Sequence, residues 1–312
     1  MKKALLAVAM LTACATTTFA QSSVNLSGTI DAGIEKTDKN SRIAVNSSGN
    51  SQSQITFSGA EDLGSGLKAT FKLSTQFNAD EGSTTGFGND DTYVGIEGSA
   101  GKIRLGRSYD PVYSHALTAN DRFGVTGYQT LGTAQSNNGI RVSNQVLYIS
   151  PTMHGLTGTL SFGAAEGSKG SGANDAHGVG VRYAVGPIEL TAASSRQAGL
   201  NTKFVNQIGG AYDFGVARVL LNVQHDNNSD ALGNTDTNAY ALGITAPVGP
   251  GVLWASYDVK DFSNRSNGQV AQLGYKYSFS KRTVVYGQVG TKNSAFTGSR
   301  SNGAGMGLTH TF

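Results

Sequence analysis

Apolar and polar residues alternate one for one in short runs along the chain, the period of β-strands whose two faces meet different surroundings. Across Leu67 to Phe77 one face carries Leu67, Ala69, Phe71, Leu73 and Phe77, and the other Lys68, Thr70, Lys72, Ser74 and Gln76. The same split sets Leu253, Ala255, Tyr257 and Val259 against Ser256, Asp258 and Lys260. It returns with Ala271, Leu273, Tyr275, Tyr277 and Phe279 against Gln272, Gly274, Lys276 and Ser278. A lysine facing lipid near a bilayer midplane costs about 2–4 kcal/mol, so the lysine faces are the wet ones.

The connections between these runs are lopsided. Seven are tight: Leu63 to Gly66, Ser99 to Gly101, Pro151 to Gly155, Gly186-Pro187, Asp213 to Gly215, Pro247 to Gly251, and Ser280-Lys281. Eight are longer and polar: Thr37 to Asn50, Asn78 to Asp90, Asp110 to Asn138, Gly167 to Asp175, Ala198 to Thr202, Asn227 to Thr235, Phe262 to Asn267, and Asn293 to Ser301. Short and long alternate, which places every long loop at one end of about sixteen antiparallel strands, as a bacterial transmembrane barrel requires. All five prolines fall in connections, where no ladder N–H is lost. A soluble β-sandwich would alternate letter for letter in the same way, but here the second face is Gly, Ser, Gln and charge rather than another apolar core. The expected fold class is therefore all-β: a transmembrane antiparallel β-barrel. Sixteen strands ~4.8 Å apart and tilted by ~40° enclose a lumen roughly 30 Å across, too wide for side chains to fill.

The first twenty residues fit this destination. Lys2 and Lys3, the apolar Ala4 to Leu11, and Thr18-Phe19-Ala20 before Gln21 have the layout of a secretion signal, which leaves residues 21–312 as the barrel. Leu11-Thr12-Ala13-Cys14 also resembles a lipoprotein lipobox, in which Cys14 would carry lipid; otherwise the single cysteine leaves with the signal and no thiol chemistry remains. No apolar run approaches the ~20 residues of a membrane-spanning helix. The 42 glycines are roughly twice the usual share and the 14% charged residues well below it. Discounting Lys2 and Lys3 lowers the formal net charge from +3 to +1, which carries no footprint for a nucleic-acid partner.

Reaction chemistry is not apparent. The five histidines lack metal-ligand spacing, and neither a G-x-S-x-G elbow nor a P-loop is present. Gly303 to Gly307 looks like half a dinucleotide fingerprint, yet it lies in a strand pattern with no following helix, and so reads as glycine packing. The acidic stretches Asn78 to Asp91 and His225 to Asp236 read as solvated surface, with Ca2+ binding as the other possibility. The expectation is a protein that is not an enzyme and has no cofactor.

Several segments in order resemble the trimeric general porins of Gram-negative outer membranes, above all their β-proteobacterial branch. They are Ser22 to Leu26 leading to Ile30-Asp31-Ala32-Gly33, Gly59 to Ala69, Tyr93-Val94-Gly95 with Leu105-Gly106-Arg107, Ser280 to Thr283 with Tyr286, and the ending Gly307 to Phe312. The resemblance implies a homotrimer in outer-membrane lipid and lipopolysaccharide, with the C-terminal strand read by the barrel-assembly machinery. It also implies passive diffusion of small hydrophilic solutes and ions. It makes Asp110 to Asn138 the third loop, folded into the barrel to constrict the pore. Asp121 then matches the acidic side of the constriction, and Arg107 and Arg141 the facing basic cluster. Opposed charges across a narrow wet opening orient polar solutes and bias ion passage.

Two departures matter. Gln54 stands where many relatives have an arginine, so Arg104 or Lys68 is the candidate replacement. Strict alternation from Ile103 and Leu105 would also turn Arg107 toward lipid, so a lumen placement needs a bulge or a strand end there. With Arg104, Arg107, Arg141 and Lys68 set against Asp121, weak anion selectivity is expected. The alternative function is an outer-membrane barrel acting mainly as an adhesin or structural anchor.

Overall fold

Each strand pairs antiparallel with its neighbours and the last returns to the first, so the sheet closes on itself. The computed structural model describes residues 23–37, 43–120, 141–164, 175–196, 204–227, 236–262, 265–293, 295 and 301–312. The strands are β1 (Ser23–Thr37), β2 (Ala44–Ser47), β3 (Gln54–Gly64), β4 (Leu67–Gln76), β5 (Thr92–Gly98) and β6 (Gly101–Tyr109). Helix α1 (Pro111–Asn120) separates them from β7 (Arg141–Ile149), β8 (Leu156–Gly163), β9 (Ala176–Val185), β10 (Ile188–Arg196) and β11 (Val205–Asp213). The series ends with β12 (Arg218–Asp226), β13 (Thr237–Val248), β14 (Gly251–Phe262), β15 (Arg265–Ser278), β16 (Thr283–Lys292) and β17 (Ser301–Thr311).

Seventeen segments make sixteen staves. The first half of β1 pairs with β3, Ser23 opposite Ala60 through Thr29 opposite Gln54, and its second half pairs with β2, Ala32 opposite Ser47. β2 and β3 therefore share one position in the wall. The predicted loop from Thr37 to Asn50 is corrected accordingly, since it contains β2. Two further expectations are corrected. β14 runs to Phe262 and β15 starts at Arg265, so most of the predicted Phe262 to Asn267 loop is strand. Pro247 pairs with Val252 inside β13, near the strand's end, rather than lying in a connection. The expected signal segment lies outside the described residues.

Burial is inverted relative to a soluble protein. Gln207, Gln224, Asn222, Thr237, Asp31, Asp90 and Asp226 are among the largest fully buried side chains, whereas Leu26, Ile96, Leu190, Ile208 and Leu242 are each more than half exposed. Apolar residues point out of the barrel and hydrogen-bonding ones into it, which excludes a sandwich core. Around the tight-turn end Tyr183, Tyr212, Phe214, Tyr277 and Phe279 project outward as an aromatic band, with the Tyr212 and Phe214 rings tilted against each other at 4.6 Å and Tyr277 edge-on to Phe279 at 4.9 Å. Such girdles sit at the membrane–water boundary.

The closing seam is held from inside by Asp31, fully buried on the inward face of β1. Its Oδ1 accepts from Gly49 N at 2.8 Å and Tyr286 Oη at 2.9 Å, and its Oδ2 from Ser51 N at 3.2 Å and Thr309 Oγ1 at 2.5 Å. One carboxylate thus joins β1, the Ser48–Ser53 connection, β16 and β17. The seam ends on Phe312, whose N and O exchange backbone bonds with Gly28 at 3.0 and 3.1 Å and whose ring lies over that glycine. Deleting Phe312 removes both bonds and the ring, so the fraction of chain that folds should fall. Gel mobility before and after boiling reads that fraction, and an unchanged folded fraction at native expression levels would refute the role.

Candidate functional site: the charged belt of the lumen

The charged belt starts where β5, β6 and β7 reach the long-loop end. Asp90, in the connection before β5 and 1% exposed, accepts Arg141 Nε at 2.6 Å, Tyr109 Oη at 2.7 Å and Gln76 Nε2 at 3.3 Å. Arg141 also donates Nη2 to Tyr109 Oη at 3.2 Å and lies 4.8 Å above that ring. Burial alone would raise the Asp90 carboxyl pKa, but the Tyr109 bond and the Arg141 charge outweigh it and hold the group below its usual value. Its neighbour Asp91 takes Lys72 Nζ at 3.1 Å and Ser108 Oγ at 2.7 Å. The adjacent acids are thus matched by cations from two different strands. They serve as wall ties, and among the described residues no cluster of three or more His, Cys, Asp or Glu is placed to hold a metal.

Tyr109 links this wall to the inward segment. Its ring stacks on Tyr113 of α1 at 5.2 Å. Helix α1 begins where helix-start chemistry predicts: Asp110 caps it, Oδ1 accepting Val112 N at 2.8 Å, and Pro111 takes the first helical position, which needs no N–H. From there the helix packs on the inner faces of β8 to β12.

The predicted site residues separate into groups. Arg141 is in the belt, but as the partner of a buried acid. Arg107 donates Nε to Asn89 O at 3.2 Å and Nη1 to Ser143 Oγ at 2.7 Å. The irregularity its placement required is present: Gly106 has φ +146°, Asn144 has φ +52°, and the β6–β7 pairing slips between Gly106 and Ser108. Arg104 alternates with the lipid-facing Ile103 and Leu105, so it points inward, and it lies 4.3 Å over the Tyr93 ring. Lys68 points inward too, but at the tight-turn end opposite Asp62 and Glu97, four residues or ~13 Å from Lys72. It is therefore well removed from the Asp90 belt. Asp121 lies outside the described residues.

Sequence reasoning missed Asp90, Asp91, Tyr109 and a second cluster in which Glu189 accepts Arg182 Nε at 2.8 Å and also Arg218 Nη2. The available signal was positional, since Asp90 and Asp91 sit directly before a strand rather than at a loop tip.

A sequence profile described as Gram-negative porin matches residues 7–295. The chain belongs to the Gram-negative porin family. Outer membrane porin protein 32 of Delftia acidovorans is 34% identical over 98% of this chain and 95% of its own length. The major outer membrane protein P.IB of Neisseria meningitidis serogroup B is 27% identical over the full length of both chains. Among solved structures, an anion-selective porin from Comamonas acidovorans superposes with a TM-score of 0.83 at 28% identity, covering 94% of this chain and all of that one. This porin is thus a channel of the outer membrane. Its tight turns face the periplasm and its long loops the exterior.

Proposed function

We propose that this porin passes small hydrophilic solutes and ions by passive diffusion with a weak preference for anions, and that it works as a homotrimer surrounded by lipid and lipopolysaccharide. In this reading Asp110 to Asn138 narrows the channel, with Asp121 facing the basic wall. One observation carries the charge preference: among the described residues Arg104 and Arg107 have no carboxylate within ion-pairing distance, whereas Arg141, Lys72, Lys102, Arg182 and Arg218 each have one. The unmatched positive charge attracts anions into a low-dielectric-walled lumen. The anion-selective porin of Comamonas acidovorans lends support to the charge preference.

The test is the reversal potential in a tenfold KCl gradient across a planar bilayer. Arg104→Ala with Arg107→Ala should move it toward the potassium potential, and the wild-type preference should fade as salt shortens the Debye length from ~30 Å at 0.01 M to ~3 Å at 1 M. A double variant with the wild-type reversal potential would show that these arginines do not set selectivity. Chemical cross-linking of the detergent-extracted protein tests the trimer, and a product no larger than one chain would rule it out.

A further inference from the structure

Away from the belt, two arginines share one acid. On β9 Gly180 and Arg182 turn inward between the lipid-facing Val179, Val181 and Tyr183. Gly180 faces the His115 ring of α1, and Arg182 is the next inward residue toward the tight-turn end. The cluster therefore lies in the lumen on the periplasmic side of the helix. Glu189, buried on β10, accepts Arg182 Nε on Oε1 at 2.8 Å and Arg218 Nη2 on Oε2. Arg218 reaches it from β12 across Ala211, the buried residue opposite Glu189 on β11, whose small side chain leaves that path open.

Both charge and donors are left over. One arginine neutralises Glu189, so the two arginines and one acid keep a single positive charge. Asp213, opposite Arg218 in the β11–β12 register, accepts Gly215 N at 2.8 Å and makes no ion pair among the described residues. Each guanidinium has five N–H donors and gives one to the acid. Arg218 Nε is buried with no acceptor among the described residues. The Arg182 side chain is 38% exposed, so the edge it turns away from Glu189 is open to the lumen.

We propose that Arg182 and Arg218 form a binding site for small dianionic oxyanions, such as inorganic phosphate or sulfate, on the periplasmic side of α1. A planar guanidinium presents paired N–H groups that match two oxygens of one oxyanion, whereas chloride gains only the charge. Glu189 holds the two forks beside each other from beneath, and the surplus positive charge favours an anion on the lumen side. The site goes beyond the general anion preference, which rests on Arg104 and Arg107. Arg104 on β6 is three strands from Arg182 on β9, roughly 15 Å around the wall. An oxyanion held here stands in the conducting path and slows the passage of other ions.

The test is the conductance of the purified protein in a planar bilayer in 0.15 M KCl at pH 8.0, with potassium phosphate added to both sides. Potassium sulfate is run in parallel, and additions of KCl at matched ionic strength are the control. Conductance of the wild type should fall along a saturating curve with either oxyanion and not with added chloride. Arg182→Gln should raise the half-blocking concentration about tenfold, the equivalent of about 1.4 kcal/mol. Glu189 keeps Arg218 as its partner in that variant, so the wall stays tied. Arg182→Lys keeps the charge but loses the fork, and should raise the half-blocking concentration severalfold. At this salt the Debye length of about 8 Å screens a charge roughly 15 Å away. Arg104→Gln should therefore move the reversal potential yet leave the half-blocking concentration within about twofold, which lets this site and the anion preference fail separately. A wild-type conductance that phosphate does not lower along a saturating curve, an Arg182→Gln or Arg182→Lys curve that matches the wild type, or an Arg104→Gln curve that matches Arg182→Gln would each overturn the proposal.

Discussion

Replacing Asp31 by alanine is expected to lower the unfolding free energy of the barrel by about 3 kcal/mol or more, because each buried donor left without an acceptor costs about 1–3 kcal/mol. Four donors converge on this carboxylate, from Gly49, Ser51, Tyr286 and Thr309; Thr309 lies on β17, which closes the sheet against β1, and Tyr286 on the next strand, β16. Lumen water will relieve part of the loss, which is why the effect falls short of four full penalties. Tyr286→Phe removes a single donor and should cost about 1 kcal/mol. The measurement is the urea midpoint of the loss of heat-modifiable mobility in detergent. An Asp31→Ala barrel that unfolds at the wild-type urea concentration would show that the backbone ladder alone closes the seam.

Replacing Asp90 by asparagine should shift selectivity toward anions and also loosen the belt. The substitution leaves Arg141, whose side chain is 13% exposed, as an uncompensated buried charge, at a cost of about 3 kcal/mol. It also converts a neutral pair into an additional positive charge near the two arginines that already lack acids. Arg141→Gln should act in the opposite sense, because it leaves Asp90 alone and moves the reversal potential toward potassium. Combining the two substitutions removes one charge of each sign and should restore selectivity close to that of the wild type. If each single variant keeps the wild-type reversal potential, the Asp90–Arg141 pair is electrically silent in the channel. The pH dependence has a defined sign. The Asp90 pKa is depressed in the fold, so the pair's contribution is complete above the ordinary carboxylate value of about 4 and is lost as the pH falls through the depressed one.

The barrel was legible in the sequence because its two signals are local. A strand with lipid on one side and water on the other must alternate, and Lys68 with Lys72 marked the wet side without any tertiary information. Turn residues such as Gly64-Ser65-Gly66 and Gly186-Pro187 marked the strand ends, and each tight connection falls at or beside the place read for it, the one read over Pro247 to Gly251 shrinking to Gly249 and Pro250. The misreadings lie where the pattern is too short or pairing overrides residue preference. β2 spans only four residues and exists because β1 offers it a partner. Pro247 is tolerated in β13 near the end of the strand.

The charged belt was legible only as a set of basic residues. Their count was visible in the sequence, but which of them keeps an unneutralised charge depends on contacts between distant residues, such as Asp90 with Arg141 and Lys72 with Asp91. The sequence by itself determined the inside-out barrel, its strand number and the wet faces, since each follows from neighbours two or four positions apart. Tertiary structure alone decided that Asp31 closes the seam and that Asp90 cancels Arg141. These depend on which staves closure brings side by side, and alternation along a single strand carries no record of that.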